Sequence, residues 1–353
     1  MKIAILNDTH SGVRNSSEIF MDYQERFYRD VFFPYLIENG IKKIVHLGDY
    51  YENRVSINFK ALAHNRRIFL DRLRELGIHM DIIPGNHDVY YKNTNDLCAL
   101  NELQGHYMNE VRIVEKPTVM QYDGLKMALI PWINSENEAR SLEFISTCKA
   151  DIVGAHLELQ GFEMQAGIIA PEGMSADIFS RFETVLSGHY HTKSQQGNVH
   201  YLGSQMEFMW SDAHDKKYFH VLDTETRELE AIQNPITIYE KIYYDDKKTS
   251  QQLINVSHLD NKFVKIIVVN KTSPLEFEKF VERVNAKKIH GLQISETFTE
   301  FTGSSVDDSD ISVEDTETLL NSYIDAVDTD LDKDRIKSQV RNLMIEAQLM
   351  EVA

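Results

Sequence analysis

Five short groups of oxygen- and nitrogen-bearing side chains punctuate the 353-residue chain: Asp8-Thr9-His10, Gly48-Asp49, Gly85-Asn86-His87-Asp88, His156 and Gly188-His189-Tyr190-His191. Carboxylate, amide oxygen and imidazole together suit divalent ions of borderline hardness, such as manganese, iron or zinc, better than calcium, which takes oxygens only. Two such ions side by side need a ligand shared between them, and a carboxylate is the natural one. Asp49, presented after a glycine that lets backbone come close, is the candidate. Each group alone has an ordinary explanation, since Asp-x-His arises by chance and a lone histidine after a strand is usually a surface or core imidazole. Their ordered succession makes coincidence a poor account.

The elements that must position these groups are legible as alternating apolar runs and amphipathic stretches, the βαβ pattern of a layered α/β domain. Strands are expected at Lys2 to Leu6, Lys43 to Leu47, Met80 to Ile83, Lys126 to Pro131, Asp151 to Ala155 and Thr184 to Ser187. Helices are expected at Ser17 to Glu38, Asn58 to Leu76 and Glu136 to Cys148. In every strand but the fourth the apolar run gives way to Asp, His, Asn or Gly, as expected where ligands bind beyond the carboxyl ends of strands.

After a further strand at Tyr218 to Asp223 the pattern changes. Strands at Ile236 to Tyr244 and Phe263 to Val269, with Ser273-Pro274-Leu275-Glu276 opening a capped helix, predict a small αβ appendage. Thr299 to Asp315 reads as an acidic flexible linker. Beyond it two short amphipathic helices are expected, one carrying Leu319, Leu320, Tyr323, Ile324 and Val327, the other Ile336, Val340, Leu343, Met344 and Ala347.

Composition sets bounds on function. With 42% hydrophobic residues the chain can bury a sizeable core, and no apolar run approaches the length of a membrane span. The opening apolar run breaks at Asn7 and Asp8, too early for a signal-peptide core. Cys98 and Cys148 lie far apart without Cys-x-x-Cys spacing, against a disulfide framework or a thiolate zinc site, so the reduced cytoplasm is the expected setting. The formal charge of -18 is unfavourable for contact with nucleic acid, but residues 301 to 353 hold 13 Asp and Glu against 4 Lys and Arg, hence -9 of it. Bound cations would cancel more, and a partner is expected to supply much of any DNA affinity.

The five groups together resemble the five phosphoesterase motifs of the calcineurin-like metallophosphatases. More narrowly, Gly48-Asp49-Tyr50-Tyr51-Glu52-Asn53-Arg54, Ile83-Pro84-Gly85-Asn86-His87-Asp88, Ile130-Pro131-Trp132, Gly154-Ala155-His156 and Tyr201-Leu202-Gly203-Ser204 resemble the SbcD-type exonucleases, a family that includes recombination endonuclease subunits of T-even-type phages. The resemblance implies a four-layered α/β/β/α metallophosphoesterase domain over 1–232, a small αβ capping domain over 233–298, an acidic linker over 299–313 and a helical partner-binding tail over 314–353.

It also implies roles. Asp8, His10 and His191 would hold one ion, Asn86, His156 and His189 the other, and Asp49 would bridge them, the ions being manganese or magnesium. His87 would orient the scissile phosphate and protonate the leaving oxygen, Asp88 would steady its ring, and Arg54 would meet DNA backbone, unless it is a surface arginine paired with a carboxylate. The implied activity is hydrolysis of phosphodiesters at DNA ends, exonucleolytic and endonucleolytic, in recombination, repair and replication. One departure stands out: many relatives carry a histidine three residues after the bridging aspartate, where this chain has Glu52, which leaves the balance of the two activities open.

No Gly-x-x-x-x-Gly-Lys-Ser/Thr loop occurs, so ATP dependence would have to come from another polypeptide. The resemblance implies an SbcC-type coiled-coil ATPase docked on the C-terminal helices, with those helices folding back on the cap as the alternative, and a homodimer. Two competing functions remain: a phosphodiesterase or phosphatase acting on a small molecule or protein at the same site, and a scaffold that has lost catalysis. The complete ligand set argues against the last.

Overall fold

The computed structural model describes residues 1–165 and 167–296 and, beyond them, Ile324, Lys333, Arg335, Ile336, Lys337 and Gln339, each helical. The expected linker at 299–313 and nearly all of the tail at 314–353, with its partner-binding role, lie outside the described residues.

Among the described residues, two six-stranded sheets dominate. In the first, Lys2–Leu6, Lys43–His46, His79–Ile82 and Val111–Ile113 are parallel, and Tyr218–Asp223 followed by Leu229–Gln233 extends it antiparallel. In the second, Leu125–Ile130, Ile152–His156, Thr184–Gly188 and Val199–Tyr201 are parallel, with Thr118–Tyr122 and Ser194–Gln196 antiparallel at the edges.

These strands are apolar on both faces because both faces are covered. Ile3, Ile5, Val45 and Leu47 of the first sheet meet Met127, Leu129 and Ile152 of the second in a core between the sheets. The alternate residues Ala4, Leu6, Ile44 and Met80 point outward, against Phe27, Phe32, Leu62 and Phe69 of the helical layer. On the far side Ala128, Ile130, Val153 and Ala155 pack with Ile145 and Phe179. The period-2 alternation therefore sends successive side chains into different cores, and the layers stack α/β/β/α.

The helix expected from Ser17 is Glu18–Phe27, a π-helical turn at Tyr28–Phe32, then Phe33–Glu38. Pro34 has no N–H to give the carbonyl four residues back, and the wider turn sits immediately before it. A second long helix runs Phe59–Asn65, through a π turn at Arg66–Leu70, to Leu76.

A separate small core is built by the parallel strands Tyr239–Asp245, Phe263–Asn270 and Gly291–Glu296 with the helix Pro274–Asn285, around Tyr244, Val264, Ile266, Phe277 and Phe280. Ser273 Oγ caps that helix by accepting from Glu276 N. Phe263 stacks on Phe20 at 6.1 Å and ties this unit to the larger one.

Candidate active site

The carboxyl ends of five parallel strands, from both sheets, converge on one spot. Lys2–Leu6 leads to Asp8 and His10, Lys43–His46 to Asp49 and His79–Ile82 to Asn86; Ile152–His156 ends on His156, and Thr184–Gly188 leads to His189 and His191. The loops after the first two strands are zipped together by backbone hydrogen bonds, Asp8 N to Gly48 O at 2.9 Å, His10 N to Asp49 O at 3.1 Å and Ser11 N to Tyr50 O at 2.8 Å.

Tight approach explains the glycines. Gly48 has φ of +89°, and a Cβ there would stand 2.6 Å from His156 Nδ1; one on Gly85 would collide with the Asp49 carboxylate. Four of the seven expected ligands, Asp8, His10, Asp49 and His189, also have positive φ, a costly backbone for non-glycine residues that tends to gather at functional sites.

Three overlapping groups result among the described residues, Asp8 with His10 and His191, Asp49 with His156 and His189, and His10 with Glu52 and His87, the ligand atoms of each lying within 4.8 Å of one another; the first two are the expected ion sites. Asn86 joins the second, its Oδ1 2.9 Å from His156 Nε2 and 3.0 Å from His189 Nδ1. All seven expected ligands are thus brought together.

The donor set fits cations. His156 Nδ1 lies 2.7 Å from Leu47 O, and a carbonyl can only accept, so Nδ1 carries the hydrogen and Nε2 faces Asn86 Oδ1 and, at 3.3 Å, Asp49 Oδ2. In the other cluster His10 Nε2 and His191 Nε2 face each other at 3.0 Å. Such atoms need a proton or a metal ion between them. Burial disfavours charge on His10 and His156, yet the Glu52 carboxylate beside the first and Asp49 beside the second push both up to about 9. Burial, together with neighbouring histidines, drives His189 down to about 3 and His191 well below its usual range, leaving neutral imidazoles able to coordinate.

His87 adjoins the clusters, its ring 5.0 Å from that of His10. Its Nδ1 donates to the Glu52 carbonyl at 2.6 Å, which leaves Nε2 for another partner, and its backbone N–H holds Asp49 Oδ1 at 2.8 Å. The expected support of the ring by Asp88 is corrected. The buried Asp88 carboxylate turns away to accept from Gly85 N at 2.9 Å and from Tyr50 N and Tyr51 N at 3.0 Å each. Burial, and Asp49 nearby, push this carboxyl up to about 6 against the opposing pull of the three amides, which pin the Gly85 loop to the Asp49 loop.

Arg54 is half-buried and, among the described residues, has no hydrogen-bond or ion-pair partner, so the surface-pair alternative finds no support. Reasoning from sequence missed the Glu52 carboxylate, whose Oε2 lies 2.7 Å from His10 Nδ1. It also missed Trp132, whose ring sits 5.2 Å from His189 and 5.9 Å from His156, and Phe208, 5.4 Å from His10. Trp132 is part of the Ile130-Pro131-Trp132 strand end that carries the family resemblance, which assigns it no role.

A sequence profile of the family described as Calcineurin-like phosphoesterase matches residues 1–193. The chain is similar to "Exonuclease subunit 1" of Enterobacteria phage T4, 32% identical over 350 residues, covering 98% of this chain and 99% of that one. A solved structure described as a novel archaeal phosphodiesterase shares 16% identity and a TM-score of 0.36, over 66% of this chain and 100% of its own. That overlap is too slight to bear on fold or function. Among the described residues no helix is long and apolar enough to cross a membrane.

Proposed function

We propose that the substrate is DNA, proceeding from the premise that the chain belongs to the calcineurin-like phosphoesterase family and is therefore a metal-dependent phosphoesterase. The observation that carries the proposal is the near end-to-end match to a phage exonuclease subunit, in a chain whose seven ligand residues lie together.

Asp8, His10 and His191 would hold one ion and Asn86, His156 and His189 the other, with Asp49 between; the nitrogen-rich set favours manganese over magnesium. When bound, the ions supply an activated water and offset the charge that builds on the phosphate and the leaving oxygen. The chain's own part is positional. Glu52 O holds the His87 ring by Nδ1, so that Nε2 presents to the phosphate and can return a proton to the departing sugar oxygen. Asp49 receives the His87 backbone N–H, so acid and ion cradle are fixed as one unit. Arg54, uncommitted beside this loop, would meet the DNA backbone.

The word "subunit" in the relative's name supports a partner. With no phosphate-binding loop in this sequence, an SbcC-type ATPase recruited by the segment 314–353 is the partner we propose. A homodimer belongs to the same reading: Val55 and Phe59, 63% and 86% exposed, leave apolar surface beside the Asp49 loop. The setting is the cytoplasm.

A comparison of products from end-labelled duplex DNA and from a cyclic nucleotide, with manganese present, tests the substrate. Cleavage of the DNA alone is expected. Turnover of the cyclic nucleotide with intact DNA would replace the nuclease reading with a small-molecule phosphodiesterase.

A further inference from the structure

Beside the ion cradle opens a cleft of about 510 Å³, and His156 is common to both. Trp132 lines it, half-buried, with its ring against His189 and His156 and its backbone fixed at three points. Its N–H donates to Pro84 O at 2.9 Å, and its carbonyl accepts from Asn95 Nδ2 and Asn137 Nδ2 at 3.0 Å each.

Among the described residues the lining contains no lysine or arginine. Its other polar members are Asn134, Ser135, Glu138 and Glu158. Asn134 is spent on its own loop, donating to Asn95 Oδ1 at 2.7 Å and accepting from Glu136 N at 3.1 Å. The Glu138 and Glu158 carboxylates are exposed and, among the described residues, have no hydrogen-bond or ion-pair partner. A second phosphate would be repelled here. An aromatic face with two acceptors suits a flat group that stacks and donates from its edge, which is the chemistry of a nucleobase with an exocyclic amino group. The volume also falls within the range of small-molecule sites.

We infer that this cleft is a nucleobase subsite: the base adjoining the scissile phosphate leaves its neighbours and lies on Trp132, while Glu138 and Glu158 accept from its amino edge. This rests on the nuclease reading and adds to it that the enzyme engages an unpaired nucleotide at the cut. A paired base cannot enter without unstacking, so frayed ends and single-stranded junctions become the favoured sites of attack.

The test uses the full chain with manganese and oligonucleotides differing only by an abasic residue on one or the other side of the scissile phosphate. For wild type, kcat/KM is expected to fall about 5- to 150-fold for one of the two positions, the cost of one lost stack. Trp132→Ala brings the ratio of normal to abasic cleavage close to one, whereas Trp132→Phe keeps most of it. Each ratio is internal to one protein, so loss of overall activity in a variant does not affect it. Equal cleavage of normal and abasic substrates by wild type would overturn the inference while leaving the nuclease intact, as would unchanged discrimination in Trp132→Ala. Failure of wild type to cut any oligonucleotide while it hydrolyses bis(p-nitrophenyl) phosphate would overturn the nuclease reading, and this inference with it.

Discussion

Glu52 Oε2 lies 2.7 Å from Nδ1 of His10, so the carboxylate grips one ring nitrogen while the other, Nε2, faces His191 at 3.0 Å. The oxygen sits off the N–H direction, which makes the contact an ion pair rather than an aligned hydrogen bond. A carboxylate on the far side of a ligating imidazole holds the ring in place and raises its basicity, which strengthens it as a ligand. Glu52 thus supports an expected ligand with its side chain and His87 with its backbone carbonyl.

Glu52→Gln keeps the shape and the backbone contact but removes the charge. Manganese affinity is expected to weaken about 10- to 100-fold, read by calorimetry, with cleavage recovering at saturating metal. Unchanged affinity would mean that the pair is incidental.

Asp88→Ala strips three buried backbone N–H groups of their acceptor. Chemical denaturation should show a loss of about 3 kcal/mol, because each orphaned buried donor carries its desolvation cost. Metal affinity should fall as well, since the loops bearing Asp49 and Asn86 come apart. A variant as stable as wild type would contradict this placement.

Asp88 also marks where sequence stops informing. Adjacency to His87 suggested a partnership, but the direction of the carboxylate depends on amides brought in from Tyr50 and Tyr51, far off in the chain. The ligands themselves were readable because apolar runs end abruptly in residues such as Asp8 and Asp49, which nothing in a core would favour. The long helices were readable too, though not the π turns at Tyr28–Phe32 and Arg66–Leu70. Strands such as Val111–Ile113 and Ser194–Gln196 left little trace, being short and at sheet edges where water satisfies polar side chains. Nor does period-2 alternation reveal that strands buried on both faces belong to two sheets. That follows only from which side chains share a core, as Ile5 does with Met127.

Glu207 ties its loop to the start of the strand Tyr239–Asp245, its buried Oε2 accepting from Ile238 N at 2.7 Å and Tyr239 N at 2.9 Å while Oε1, among the described residues, has no hydrogen-bond partner. Burial pushes it from 4.5 up to about 7. An acid raised on folding binds more protons folded than unfolded, so its contribution to stability is greatest below 4.5. It declines as pH rises to about 7 and is level above that. The decline amounts to about 3 kcal/mol. Urea unfolding in EDTA at pH 4.5 and pH 7.5 should show this loss in wild type beyond that in Glu207→Gln. Equal losses would remove Glu207 as the source.

The central claim is that His87 acts in phosphodiester hydrolysis beside a cradle for two ions that does not depend on its ring. The direct measurement is manganese-dependent cleavage of end-labelled duplex DNA by the full chain and by His87→Ala, with manganese binding followed on the same samples by calorimetry. Two ions per chain are expected in both proteins, with cleavage in His87→Ala reduced about 100- to 10,000-fold, the range for a lost general acid. Undiminished cleavage by His87→Ala, or failure of the wild type to bind two ions, would contradict the account.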